Sequence, residues 1–415
     1  MRYNILLLLF VILPGVDYAD AQILDWSDLV TLAKKNSPNL QSSEWSLRSK
    51  QAEKKASYGD FLPSVSLSKD KNSATTKALG SSSTKKTTDD GITASLNLFN
   101  GFADIAKIKK LSYEEQASVQ DLILKSILVR FNLRQAYYRL LIQQKRIQLS
   151  EETLQREKNN EKFISLKYEN GTEARWNLLK VRADLEKARF NLENAKNDST
   201  TEKKNLETIV GNSISSITSN EENLYDFAES SLYSIENHPQ VQKLHLQFLA
   251  SEKNKTIARS AFLPSLNASY TKSRSTTEPS PRTDTGTFLL SADWNIFNGL
   301  SDFYTLQQVS AAAESLNYEW ENTLKTVSNA IDTAKRAFFL AKMNLPVAKN
   351  IRTAAEERLK TISAQYRNGL KSYLDWEQAE SLLVESEQAE LRAQEQILLS
   401  KAELERALGY SLENL

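Results

Sequence analysis

Two periodicities divide the chain. Around position 65, Val65 and Leu67 alternate with serines; in "GITASLNLFN", Ile92, Ala94, Leu96 and Leu98 alternate with Thr93, Ser95 and Asn97. The alternation returns at Leu266, Ala268 and Tyr270 against Asn267, Ser269 and Thr271. It returns again at Phe288, Leu290, Ala292, Trp294 and Ile296 against Ser291, Asp293 and Asn295, with Leu289 the exception. A period of two with one apolar face predicts four strands, over about 62–70, 91–99, 263–272 and 286–297. The Ser/Thr/Lys-rich stretches between them, residues 70–90 and 272–286, read as outward loops. After each strand pair the period becomes helical. Residues 102–168 contain no Gly or Pro, which allows a helix of roughly 100 Å. Residues 300–366 match that length but carry Pro346, which should bend the helix or open a wider turn. Return helices follow over 173–209 and 371–408. In the first, Leu178, Val181, Leu185, Ala188, Leu192 and Ala195 keep the 4–3 spacing of a coiled-coil seam.

These elements occur twice in one order. "NSP" ending at Pro38 returns as "NHP" ending at Pro239, and "FLPSVSLS" from Phe61 as "FLPSLNAS" from Phe262. "LFNGFAD" ending at Asp104 returns as "IFNGLSD" ending at Asp302, and "AYYRL" from Ala136 as "AFFLA" from Ala337. "YENG" from Tyr168 returns as "YRNG" from Tyr366, and "ETIVGNSI" from Glu207 as "ERALGYSL" from Glu405. Ordered landmarks at an offset of about 200 mean one structural unit used twice. The first repeat spans 22–212 and the second 213–415.

Composition narrows the function. With 11 Gly and 8 Pro in 415 residues, the segments between breaks are long. A net charge of +1 gives no electrostatic reason to expect nucleic acid as a partner. The absence of cysteine removes disulfides, thiolate metal sites, a cysteine nucleophile and a cysteine-built lipid anchor. His238 and His245 are two helical turns apart, so they read as ordinary surface histidines and not as a shared metal site. No phosphate loop, nucleophile motif or metal constellation stands out, so neither catalysis nor a cofactor is expected.

The N-terminus has Arg2, an apolar run from Ile5 to Leu13, and Ala19-Asp20-Ala21, the layout of a secretory signal occupying residues 1–21. Nothing later resembles a transmembrane helix. An exported chain with apolar-out, polar-in strands can still enter a membrane as a β-barrel. Four strands cannot close such a barrel, so several copies must contribute. The rival reading is a secreted or periplasmic coiled-coil structural protein without a pore, and it leaves the amphipathic hairpins unexplained.

The duplicated unit of FLP, strand, strand, FNG, long helix, YxNG and return helix resembles the outer-membrane efflux protein (TolC) family over the whole mature chain. That resemblance implies a mainly α fold with a small membrane β-barrel portion. Each protomer of a homotrimer supplies four strands and its long coiled-coil helices. It further implies a barrel in the outer membrane, a helical tunnel in the periplasm, and outer-membrane lipid around the barrel. A periplasmic adaptor (membrane fusion) protein and an inner-membrane transporter complete an efflux pump or type I secretion system. On this plan residues 25–58 and 229–260 are helices climbing to the barrel. Residues 210–228 and 409–415 form a belt, shortened where the sequence stops soon after Gly409.

The turns "YENGTEARWN" and "YRNGLKSYLD" then fall at the closed periplasmic end. Gly171 and Gly369 suit a left-handed helix C-terminus whatever the function. In the family these turns meet the adaptor, which assigns that contact to Asn170, Gly171, Thr172, Asn368, Gly369 and Leu370. Family members carry an acid nine residues after the tyrosine, and Asp375 matches it. A second acid one turn later is replaced by Gln378, and the first-repeat equivalent is Asn177. The resemblance makes Asp375 a three-fold ring at a constriction and Tyr168 and Tyr366 hydrogen-bonding groups that hold the tip shut. Alternatively, Asp375 is an ordinary acid at a helix start.

Overall fold

The computed structural model describes residues 23–78, 80–217, 224–227, 234–278 and 281–413, so the predicted signal segment 1–21 lies outside them. The first repeat contains β1 (Ile23–Leu24), α1 (Trp26–Asn36), α2 (Pro38–Ser57), β2 (Ser64–Ala78), β3 (Ser81–Asn100), α3 (Ala103–Glu169) and α4 (Arg175–Val210). The remainder contains β4 (Ser216–Ile217), α5 (Pro239–Arg259), β5 (Ser265–Glu278), β6 (Thr283–Asp293), α6 (Ser301–Arg367) and α7 (Tyr373–Ala407).

Proline sets two helix starts. Pro38 and Pro239 occupy the first turns of α2 and α5, where the missing N–H has no helical partner to lose. The residue before a proline is pushed out of the helical region, and Ser37 lies at φ −71°, ψ 114°. The single helix expected over 25–58 is therefore two, α1 and α2. At the corresponding position His238 caps α5, its Nδ1 accepting from the Gln240 N–H at 3.2 Å. His238 is only 5% exposed, which corrects the expectation of a surface histidine. Burial, with the nearby Arg406 charge, depresses its pKa to about 4. His245 instead stacks on Trp320, the ring centroids 4.8 Å apart.

The four long strands form one antiparallel sheet in the order β2-β3-β5-β6. They differ from the predicted spans. β2 and β3 pair continuously from Ser64↔Ser95 to Ala78↔Ser81, and β5 and β6 from Ser265↔Asp293 to Ser275↔Thr283. The stretches expected as loops, 70–90 and 272–286, are thus largely strand. Their apolar alternation stops, but threonines continue to suit a pleated surface. Threonine hydroxyls bridge strands at Thr75–Thr84 (3.1 Å) and Thr87–Thr277 (3.3 Å). In the other direction β6 stops at Asp293, short of the predicted end at 297.

Register gives the sheet two chemically different faces. On one, Leu96, Ala268 and Leu290 form a row, followed by Val65, Ala94, Tyr270 and Phe288, then Leu67, Ile92 and Lys272. A bulge between Asn97 and Phe99 brings Phe99 opposite Leu266, extending the apolar face by a row. The other face carries Ser66, Thr93 and Thr271, with the two threonine hydroxyls 3.1 Å apart. Among the described residues β2 and β6 each pair on one side only, so the sheet of one chain ends in two open edges.

Both hairpins pass into helix through Asn-Gly followed by a bulky residue. Gly101 and Gly299 are left-handed (φ 53° and 58°), and so are Phe102 and Leu300, both at 67°. A left-handed residue with a Cβ is strained by roughly 1–2 kcal/mol. Its recurrence in both repeats marks it as part of the strand-to-helix turn. The glycines are not equivalent. A Cβ on Gly101 would lie 2.8 Å from the Ser260 Cβ and 2.9 Å from its carbonyl oxygen, whereas Gly299 has open space around it. Gly299→Ala should cost about 1–2 kcal/mol from φ alone, and Gly101→Ala about 1–3 kcal/mol more from overpacking. Thermal melts of the solubilised variants test this; equal losses would show that Ser260 yields freely.

The chain forms two compact units. Among the described residues, one draws on those up to 36, 133–224 and 348–395, the other on 37–132, 225–347 and those from 396 on. Each takes segments from both sequence repeats, so compact units and repeats do not coincide. In the first unit β1 and β4 pair in parallel, and Arg134 lies over the Trp26 ring at 3.7 Å. Along α4, Leu178, Val181, Ala188, Leu192 and Ala195 are buried and Leu185 is half-buried. Arg156 holds Glu387 with two hydrogen bonds, 2.9 and 2.6 Å. In the second unit the side chains of Arg130 and Glu405, 5% and 7% exposed, form a 3.2 Å ion pair, and Arg130 also donates to the Ser411 carbonyl. α6 runs unbroken through exposed Pro346, so the wider turn does not form.

Candidate gate at the helix tip

The two tip turns close in the same way. Gly171 donates to the Tyr168 carbonyl (2.9 Å) and Thr172 to that of Lys167 (2.9 Å); Gly369 donates to Tyr366 (3.1 Å) and Leu370 to Gln365 (2.9 Å). With Gly171 at φ 71° and Gly369 at 74°, each turn is a Schellman cap that satisfies the last carbonyls of α3 or α6. Asn170, Gly171, Thr172, Asn368, Gly369 and Leu370 are all exposed.

Beyond this backbone symmetry the two turns differ. Tyr366 is 3% exposed and donates its hydroxyl to Glu173, whose other carboxylate oxygen accepts from the Asn177 amide. Glu173 thereby ties the first-repeat turn to the end of α6. Burial raises the Tyr366 pKa far above the ordinary phenol range, and the bond to Glu173 adds to the shift. Its ring stacks on Trp376 at 5.5 Å and meets Phe163 edge-on at 6.0 Å, and the Lys167 ammonium sits 4.1 Å from its centre. Trp376 in turn donates to the Ser363 hydroxyl at 3.2 Å. Together with Ile164, Leu178, Val181 and Tyr373, these rings make a continuous buried cluster under the turns.

The other predicted residues fall outside that cluster. Tyr168 is 38% exposed, so of the two tyrosines only Tyr366 is held. Asp375 occupies the first turn of α7, where its Oδ2 accepts from the Ser372 N–H (3.1 Å) and hydroxyl (2.7 Å) while its own N–H donates to Ser372 Oγ (3.2 Å). This reciprocal capping box depresses the Asp375 pKa and keeps the carboxylate ionised. Gln378 is exposed and Asn177 is buried.

Sequence reading missed Glu173, although a signal was present. Two residues after each tip glycine the first repeat has Glu173 and the second Lys371, a reversal of charge at equivalent positions. Likewise Ser372 and Asp375 form the capping box where the first repeat has Ala174 and Asn177. Asn177, lacking a cap partner at Ala174, turns its amide to Glu173. Among the described residues no helix is long and apolar enough to cross a membrane, which leaves the sheet as the element to weigh.

A comparison with curated protein sequences finds no match. Solved structures do match in fold. CusC, reported with the conformational changes accompanying folding and transmembrane channel formation, superposes with a TM-score of 0.84 at 17% identity, over 92% of this chain and 91% of that one. A membrane protein of Pseudomonas aeruginosa gives 0.85 at 18% identity, over 95% and 93%. The Campylobacter jejuni CmeC outer membrane channel gives 0.79 at 18%, over 92% and 84%. In sequence, the family model described as outer membrane efflux protein matches residues 29–212 and 233–410, which takes in both repeats. The chain belongs to the outer membrane efflux protein family.

Proposed function

We propose that three copies of the chain form the outer-membrane channel of a tripartite efflux pump or type I secretion system. The observation that carries this reading is the sheet: four strands, two open edges, one apolar face and one polar face. Unpaired edges of this length invite further strands, and closure is the arrangement that satisfies them in lipid. Copies joined edge to edge put the apolar rows against lipid and the threonine face around a water-filled lumen. A pore-less coiled-coil protein would have no use for either edge. Substrates pass passively from an inner-membrane transporter and a periplasmic adaptor to the exterior. The adaptor meets the exposed turns Asn170–Thr172 and Asn368–Leu370.

Fractionation tests the assembly. The protein should sediment with outer membranes and migrate as a heat-modifiable trimer; a soluble periplasmic monomer would rule the channel out.

At the tip, Tyr366, Glu173 and Asn177 hold the gate shut, and Asp375 adds a ring of negative charge at the constriction. With Gln378 neutral, the ring has one acid per chain. Asp375→Ala should raise single-channel conductance or lower cation preference in planar bilayers. An unchanged channel would leave Asp375 with its capping role alone.

A further inference from the structure

We propose that the outward face of the sheet binds the phosphates of anionic lipid headgroups through Lys272, at the edge of its apolar band, and Lys71 beyond it. This rests on the membrane reading above and names the headgroup class and the residues that would take it.

The inference comes from register. Strand alternation carries the lipid-facing side of each strand past the last apolar row. On β2, Leu67 is followed on the same face by Lys69 and Lys71; on β3, Ile92 leads to Asp90, Thr88 and Lys86; on β5, Tyr270 leads to Lys272 and Arg274. Lys272 shares a row with Leu67 and Ile92, and the next row is Lys69, Asp90, Arg274 and Asp284. Within that row the charges cancel, because Lys69 pairs with Asp90 at 3.1 Å and Arg274 with Asp284 at 2.8 Å. Lys71 and Lys272 are exposed and form no ion pair among the described residues, whereas Lys86 lies six residues past Ile92 and has Glu278 opposite it on β5.

The other end of the band is bounded differently. Phe61, Phe262, Trp294 and Phe297 are exposed there, 44–74% of each, close to where the strands meet the helices. Aromatic rings suit a membrane interface of either charge, whereas unpaired lysines suit an anionic one. The Lys272 stem can lie along Ile92 and Tyr270 while its ammonium group reaches the headgroup layer. The polar hairpin ends beyond this level would stand clear of the lipid.

The test uses the purified full-length protein in phosphatidylcholine vesicles containing a minority of phosphatidylglycerol, with spin-labelled lipid of each type reporting which one sits against the protein. The wild type should prefer phosphatidylglycerol by roughly fivefold, the factor expected of one lysine at a charged surface, and added salt should reduce the preference. The double variant Lys71→Gln/Lys272→Gln should lose it while remaining a heat-modifiable oligomer. Lys69→Gln/Asp90→Asn, which removes a pair whose charges already cancel, should change it little. No preference in the wild type, or an equal one in the double variant, overturns the proposal. So does displacement of phosphatidylglycerol by inorganic phosphate, which would make this a site for free anions. Failure of the wild type to enter vesicles of either composition would instead overturn the membrane reading itself, and the proposal with it.

Discussion

Tyr366→Phe should leave the protein folded and assembled but shift its channel towards the open state. The substitution keeps the stacking on Trp376 and removes only the hydroxyl bonded to Glu173. A hydrogen bond to a charged acceptor contributes about 1.5–3 kcal/mol, so its loss should change the closed-to-open ratio roughly ten- to hundredfold per chain. Glu173→Ala should act in the same direction and further, since it also frees the Asn177 amide. Tyr168→Phe is the control: it sits at the equivalent position of the other repeat and is 38% exposed. Single-channel recording distinguishes the outcomes. If Tyr366→Phe and Tyr168→Phe both behave as the wild type, the Tyr366–Glu173 bond does not hold the gate.

The largest loss of stability should come from Glu405→Ala. Its carboxylate and the Arg130 guanidinium are nearly sealed from water, at 7% and 5% exposure. Removing one member of such a pair while the other charge stays buried costs about 3–5 kcal/mol. Replacing both, as Arg130→Met/Glu405→Leu, should recover most of that loss, because an apolar pair of similar volume needs no compensation. Chemical denaturation of the solubilised protein would measure both. A double variant as unstable as the single one would mean that Arg130 matters chiefly through contacts other than Glu405, its bond to the Ser411 carbonyl among them.

The parts of the fold legible in the sequence are those written in apolar periodicity. The switch from period two at Ile92–Leu98 to a helical period beyond Gly101 predicts strand and then long helix, and the structure has both. The hairpin ends were illegible because their strands alternate among polar residues, such as Thr75 opposite Thr84 and Lys71 opposite Thr88, where an apolar pattern has nothing to register. His238 looked like a surface residue because its burial depends on segments far away in the chain, among them the end of α7 near Arg406. At the tip, sequence gives the two glycine turns but cannot say which tyrosine is held. That depends on Glu173 reaching from one turn to the end of α6, a contact between residues 193 apart. The capping of α7 by Ser372 and Asp375 was readable as a helix-start acid, the alternative already weighed for Asp375.

The seam between β3 and β5 sets a schedule for folding. Thr93 and Thr271, which face each other across it, are 178 residues apart, so the first hairpin is complete long before its neighbour exists. At ordinary rates of synthesis that interval is roughly 10–40 s. A hairpin formed in that interval would present β3 as an unpaired edge, with Val65 and Leu67 exposed on its apolar face. The first half of each copy has no partner of its own for β3 until the second half arrives. A chain of this design depends on being kept apart from its siblings first and brought together with them afterwards.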